Sequence, residues 1–348
     1  MSDETPIVMR ELDIEALPVS KKSRVLVEIV TDGLGQRISV PVLVARGRKP
    51  GPVVGITAAL HGNELNGIPV IHGLFNALAS RPIQGTVVAV VVTNVPGYHA
   101  HRREFNDGTD LNDVFPGRED GNTSQVYAHR LMSRIISRFS CLLDLHTASF
   151  GRINSLYVRA DMKNSATARM AYLQRPQIIL HNPPSDGTLR GAAMDLGIPA
   201  ITVEIADPQR FQYRQIKAAI NGILSVLADQ GVVRRGLGKP ASDPILCSTS
   251  RWLFADRGGL LDVNPHLGER VQKGETIAFI HNAFGDLVRT YTAPFDGIVI
   301  GKSVNPVGQT GARILHLGTV VDSRAPEWET STLLRRSLWP IGDETESP

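Results

Sequence analysis

Two short stretches hold side chains whose types and spacing could do chemistry. His61 and Glu64 stand three residues apart in His61-Gly62-Asn63-Glu64, and a second histidine, His146, lies far downstream in Leu143-Asp144-Leu145-His146-Thr147. Two imidazoles and a carboxylate are the ligand set of a catalytic zinc site, which keeps a fourth position open. The spacing alone has an ordinary explanation too: an HxxE pair arises by chance, and most such histidines are exposed or held by local hydrogen bonds. Glu204 interrupts the apolar run Ile201-Thr202-Val203-Glu204-Ile205, where an unpaired carboxylate is costly to bury. Either it forms a salt bridge, with Arg210 or Arg214 as partners, or it lies beside a metal as a general base whose pKa is set by burial and the nearby cation.

Such groups need strand ends to hold them. Strands are expected at 25–30 and 38–44 around a turn with Gly33 and Gly35. The β-rich run 53–60 leads into a helix over 64–78, in which Leu65, Ile68, Ile71 and Leu74 recur at helical spacing. The run 86–92 (TVVAVVV) reads as a strand covered on both faces. A helix at 124–139, capped by Thr123 or Ser124, precedes strands at 141–145, 178–180 and 200–205, and a helix over 209–229 stops at Gly231. This alternation predicts an α/β sheet with helices on both faces. The His61–Glu64 turn and His146 then fall outside the carboxyl ends of strands, where open α/β sheets build their sites. Residues 94–122, rich in Gly, Pro, Asn and Asp, make a loop of a length that is usually functional or disordered.

After a linker at 234–244, short β-like segments run from 250 to about 321. The expected division is a catalytic domain over 1–240, an all-β domain over 241–322 and a tail over 323–348. The 348 residues, 42% apolar and 20% charged, suffice for a substantial core and exclude a mainly disordered chain. Thirty-seven basic against 34 acidic residues leave a net charge of +3, no footprint for nucleic acid. The acidic, polar start MSDETPIVMR and the lack of a long apolar run predict a cytoplasmic protein without a membrane partner. The two cysteines, Cys141 and Cys247, form no CxxC site, so a metal falls to His and carboxylates.

Taken together, His61-Gly62-Asn63-Glu64, Arg103, the stretch Asp110-Leu111-Asn112-Asp113-Val114-Phe115-Pro116-Gly117, His146 in Asp-Leu-His-Thr, and Val203-Glu204 resemble the succinylglutamate desuccinylase/aspartoacylase family, relatives of zinc carboxypeptidases. The resemblance spans roughly residues 25–320. It implies a zinc carboxypeptidase-like mixed sheet flanked by helices and one zinc ion per chain, bound by His61, Glu64 and His146. It makes Glu204 the proton shuttle and Arg103 the group that polarises the scissile carbonyl, with Arg102 as its adjacent competitor. It makes Asn112 a contact for a substrate carboxylate. The implied activity is removal of an acyl group from an amino-acid-like amine, and the implied partner is that small molecule. A carboxypeptidase acting on peptides and an inactive binding protein are the rival readings.

One position departs from the family pattern. An arginine that pairs with the substrate carboxylate usually follows the motif asparagine, and this chain has Asp113. Either Asp113 selects a substrate with an amino or guanidino group, or it has left the pocket; Arg152, Arg159 and Arg190 could replace the lost cation. Tyr157 could offer its hydroxyl to the site or be a half-buried strand residue, and Asp144 could orient His146. His72 and His129 read as surface or capping residues; His99 and His101 share the loop with Arg103. The segment 268–274 with 293–299 is similar to a lipoyl/biotinyl-like barrel-sandwich module. Its turn at 282–286 lacks a carrier lysine, so it is expected to border the substrate entrance or a homo-oligomer interface.

Overall fold

The computed structural model describes residues 5–184, 187–234 and 243–322, together with Trp328, Leu334, Arg335, Ser337 and Leu338. Most of the expected linker and tail lies outside the described residues.

Four parallel strands form the centre, in the order Gln84–Val90, Lys49–Ala58, Cys141–His146 and Ala200–Ile205. The hairpin of Lys21–Thr31 and Arg37–Arg46 adds antiparallel strands on one side. On the other side Leu156–Ala160 runs antiparallel to Ala200–Ile205, and Ile178–His181 lies parallel to Leu156–Ala160. The apolar residues of the central strands fill both faces. Ile56, Leu143, Ile201 and Val203 pack with the helices Gly67–Leu78, Ser165–Leu173 and Tyr213–Asp229. Val88, Leu142 and Ala200 pack with Thr123–Arg134 and Leu189–Asp195. Helices therefore cover the sheet on both sides, as the alternating pattern predicts.

The helix after residue 122 has a different cap from the expected Thr123 or Ser124. Asn122 accepts from the Gln125 backbone while the Gln125 side chain caps Asn122 in return, a reciprocal box that satisfies two helix-end donors. The loop at 94–122 is ordered by two short turns, Val95–His99 and Leu111–Asp113.

Beyond residue 240 the same sheet continues. Ile245–Phe254 pairs in parallel with Ile178–His181 and antiparallel with Arg313–Val320, which carries Gly297–Ser303. A separate four-stranded antiparallel sheet, in which Thr276–His281 and Leu287–Thr292 flank the 282–286 turn, packs against these strands through Leu261, Ile277, Ile280, Val299, Leu315 and Leu317. The C-terminal part is thus two antiparallel layers, one of them hydrogen-bonded into the α/β sheet. Among the described residues no helix is long and apolar enough to cross a membrane.

Candidate metal centre and active site

The site is written across the sheet as two rows. Cα partners in neighbouring strands put Thr57, Asp144, Thr202 and Arg159 side by side, and one step further along His146, Glu204 and Tyr157. Because side chains alternate with period two, both rows lie on one face. That face is apolar deeper in the sheet, at Leu142 and Ala200, and turns polar only at the carboxyl ends. The opposite face stays apolar throughout, with Leu145, Val203 and Val158.

His61 and Glu64 come from the turn that follows Lys49–Ala58. Gly62 makes that turn possible: a Cβ there would lie 2.0 Å from the Gly97 carbonyl carbon, so only glycine admits the backbone of Val95–His99. His61, Glu64 and His146 are all buried, and their ligand atoms lie within 4.8 Å of one another. Glu64 Oε1 is 3.0 Å from His61 Nδ1, Glu64 Oε2 is 2.9 Å from His146 Nδ1, and the two Nδ1 atoms are 3.2 Å apart.

The outer nitrogens decide the protonation of the inner ones. His61 Nε2 donates to Asp110 at 3.1 Å and His146 Nε2 donates to Asp144 at 2.7 Å, while the Thr57 hydroxyl fixes Asp144 at 2.6 Å. When each ring is neutral its one proton sits on Nε2, and both Nδ1 lone pairs then converge with the Glu64 carboxylate, so three acceptors face one point. That donor set fits a divalent cation of the zinc type. Burial disfavours the charged form of His146, yet Asp144 and Glu64 hold its pKa well above the ordinary value. Burial likewise works against the Glu64 carboxylate, but His61 and His146 outweigh it and keep its pKa well below the usual range.

Arg103 joins the cluster. Its Nε donates to Asp110 at 2.8 Å, and Nη1 donates to Glu64 at 2.8 Å, to Ser149 Oγ at 2.9 Å and to His61 Nδ1 at 3.1 Å. Arg102, its sequence competitor, is exposed and does not line the cavity. Glu204 is buried, and its partners are neither Arg210 nor Arg214. Arg159 Nε lies 3.3 Å from Oε1, Tyr157 donates to Oε1 at 3.3 Å, and Asn154 donates to Oε2 at 3.3 Å. Arg210 pairs with Asp207 instead. Tyr157 is fully buried, so its hydroxyl serves Glu204 and Arg159.

These residues line a cavity of about 340 Å³ that also takes in Asn112, Asp113, Arg152, Arg190 and Trp252. Asp113 is an exposed part of this wall, held by the close packing of Gly187 on its backbone. Asn112 Oδ1 accepts from the Leu189 backbone at 2.9 Å, which fixes the orientation of the amide and leaves its Nδ2 hydrogens for a ligand. Sequence reasoning missed Asn154, Ser149 and Trp252. Asn154 and Ser149 lie in loops and a three-residue strand with no pattern to mark them, and Trp252 reaches the cavity from beyond residue 240.

Comparison with known proteins points the same way. The chain is 24% identical over 303 residues to an N-alpha-acetyl-L-2,4-diaminobutyric acid deacetylase of Halomonas elongata, covering 82% of this chain and 87% of the relative. Among solved structures, a succinylglutamate desuccinylase/aspartoacylase from Rhodobacter sphaeroides aligns with a TM-score of 0.77 at 21% identity, over 91% of this chain and 100% of that one. A product-bound ectoine utilization protein, EutE (DoeB), from Ruegeria pomeroyi gives 0.76 at 19% identity, over 87% and 98%. The model of the succinylglutamate desuccinylase/aspartoacylase catalytic domain matches residues 50–229, a span that holds every residue of the His-Glu-His cluster, Arg103 and Glu204 and more than half of the chain; the protein belongs to that family.

Proposed function

We propose that the protein is a zinc-dependent hydrolase that cleaves the amide bond of an N-acyl amino acid whose side chain carries a positive charge. The observation that carries this reading is Asp113 in the cavity wall, where the family motif has an arginine. A like charge there would cost an acidic substrate several kcal/mol, whereas an amine gains a partner. The Halomonas relative is named for a substrate with a second amino group, which agrees in chemistry. A cavity of about 340 Å³ suits an amino-acid derivative better than an extended peptide, which weighs against the carboxypeptidase reading.

A zinc ion held by His61, Glu64 and His146 would polarise the scissile carbonyl and lower the pKa of water. Glu204 takes a proton from the attacking water and hands it to the amide nitrogen as the C–N bond breaks, so that a carboxylic acid and a free amine leave. Asn154, Tyr157 and Arg159 hold that carboxylate in place. Arg103 offers guanidinium hydrogens to the carbonyl oxygen as it gains charge. Asn112 presents its Nδ2 hydrogens to a substrate oxygen.

The test is metal analysis of the purified protein followed by kinetics on N-acetyl-2,4-diaminobutyrate, N-acetylaspartate and succinylglutamate. The first should be hydrolysed and the other two poorly. In Asp113→Arg the preference for the cationic substrate should fall by about 10- to 100-fold, as expected for reversal of one close charge contact. Efficient turnover of N-acetylaspartate by the unaltered protein would remove Asp113 as the determinant.

A further inference from the structure

We propose that Arg152, held against Trp252 beside Arg313, is the anchor for the substrate's carboxylate and replaces the motif arginine that this chain lacks. The proposal rests on the deacylase reading above and adds the second charge that the substrate must carry.

The four arginines of the cavity wall differ in what they already hold. Arg103 is engaged by Asp110 and Glu64, and Arg159 by Glu204 and Tyr157. Arg190, buried, donates to the Asn182 backbone and side chain at 2.7 Å each. The Arg152 guanidinium makes no hydrogen bond or ion pair among the described residues, although it is half-buried in the cavity wall. A half-buried cation without a partner is the group from which an incoming anion gains most, because its desolvation is already complete in part.

Its surroundings strengthen that demand. The Arg152 Cζ lies 5.8 Å from the Trp252 ring centroid and the Arg313 Cζ 5.6 Å from the same centroid. His316 stacks on this indole at 4.8 Å with an interplanar angle of 9°. Burial, aided by Arg159, Arg152 and Arg313, pushes the His316 pKa down to about 3, so the imidazole is neutral. Burial also lowers the Arg152 pKa, with Arg313 and Arg103 adding to it; the opposing carboxylates are Glu64 and Glu204, and both have other partners. Two cations and a neutral ring therefore share one tryptophan, with no carboxylate of their own among the described residues.

Position argues for the carboxylate of an amino acid in particular. Arg152 and Asn154 stand two residues apart in the strand Arg152–Asn154 and so share a side of it. Asn154 donates to Glu204, the group that protonates the leaving nitrogen. In an N-acyl amino acid a single carbon separates that nitrogen from the carboxylate, so base and anchor must be neighbours. The strand itself is held by Gly297–Ser303, with Ser303 opposite Arg152 and Gly301 opposite Asn154. The anchor is thus assembled by the C-terminal strands, which supply Trp252, Arg313 and the pairing edge.

The test compares N-acetyl-2,4-diaminobutyrate with N-acetyl-1,3-diaminopropane, the same amide without the carboxylate, in the zinc-loaded protein. Arg152→Met should lower the preference for the carboxylate-bearing amide by about 10- to 100-fold, the usual cost of losing a hydrogen bond to a charged group, chiefly through KM. Arg152→Lys should restore part of it. Trp252→Leu, which frees the guanidinium, should act in the same direction by several-fold. Calorimetry with L-2,4-diaminobutyrate and 1,3-diaminopropane measures the same preference without catalysis. If neither amide is hydrolysed the deacylase reading fails, while the calorimetric preference still decides the anchor. Equal loss on both amides, a loss confined to kcat, an unaltered preference in Arg152→Met, or no preference for the carboxylate in the unaltered protein would each overturn the proposal.

Discussion

At the scale of single residues, a few carboxylates fix what the site can do. Asp110 and Asp144 hold the outer nitrogens of His61 and His146, and this leaves the inner lone pairs for a cation. Glu204, by contrast, is held among the described residues by Asn154, Tyr157 and Arg159, all of which donate to it, and these fix the carboxylate in the cavity wall. Glu204→Gln keeps the size and most hydrogen bonds of that side chain but removes the basic oxygen. It should leave zinc content unchanged and reduce kcat by about 10²- to 10⁴-fold, the usual share of a general base, as read by metal analysis and steady-state kinetics on one preparation. The residue identities were legible in the sequence because each interrupts an apolar run or stands in a short motif. Whether Asp113 faces the cavity was not legible, since that depends on Gly187 packing against it from 74 residues away.

At the scale of elements, strand ends do the positioning. Cys141–His146 and Ala200–Ile205 each carry two site residues at period two, and register brings them into rows. Apolar periodicity made these strands and their neighbouring helices readable. Shorter elements escaped: Arg152–Asn154 has three residues and Leu189–Asp195 seven, too few for a period to show. The tight contact at Gly62 also escaped, because a glycine beside a histidine does not announce the backbone that will pack on it. A methyl group at Gly62 would sit 2.2 Å from the Tyr98 backbone nitrogen. Gly62→Ala should therefore destabilise the protein by about 1–3 kcal/mol, as overpacking does, and lower its zinc stoichiometry by displacing His61. Urea unfolding and metal analysis measure the two effects.

At the scale of the whole molecule, the C-terminal strands complete the site that the first 240 residues begin. Ile245–Phe254 and Arg313–Val320 extend the α/β sheet and bring Trp252 and His316 to the cavity side of Tyr157. His316 makes this junction sensitive to acid. Its pKa in the folded state is pushed down to about 3 by burial and by the arginines around it, against about 6.5 when unfolded. The unfolded chain therefore binds the extra proton first as pH falls. The contribution is fully present above pH about 6.5 and is lost progressively down to about 3. Between pH 7 and pH 5 this group should remove on the order of 1–2 kcal/mol of stability. His316→Gln should show a correspondingly shallower decline in urea melts at the two pH values.

The amino-acid sequence by itself determined the α/β alternation, the strand ends that bear chemistry, the His61, Glu64 and His146 set and the unusual Asp113, because apolar periodicity and short motifs are local properties of the chain. Only the tertiary structure decided which cation pairs with Glu204, which arginine of the cavity wall has no hydrogen-bond or ion-pair partner among the described residues, and that residues beyond 240 furnish part of that wall. Those facts depend on strand register and on contacts between segments far apart in the chain. Pairing Arg152 with Ser303, or stacking Trp252 on His316, leaves no trace in local spacing, since the energy that selects such contacts arises only when the sheet is assembled.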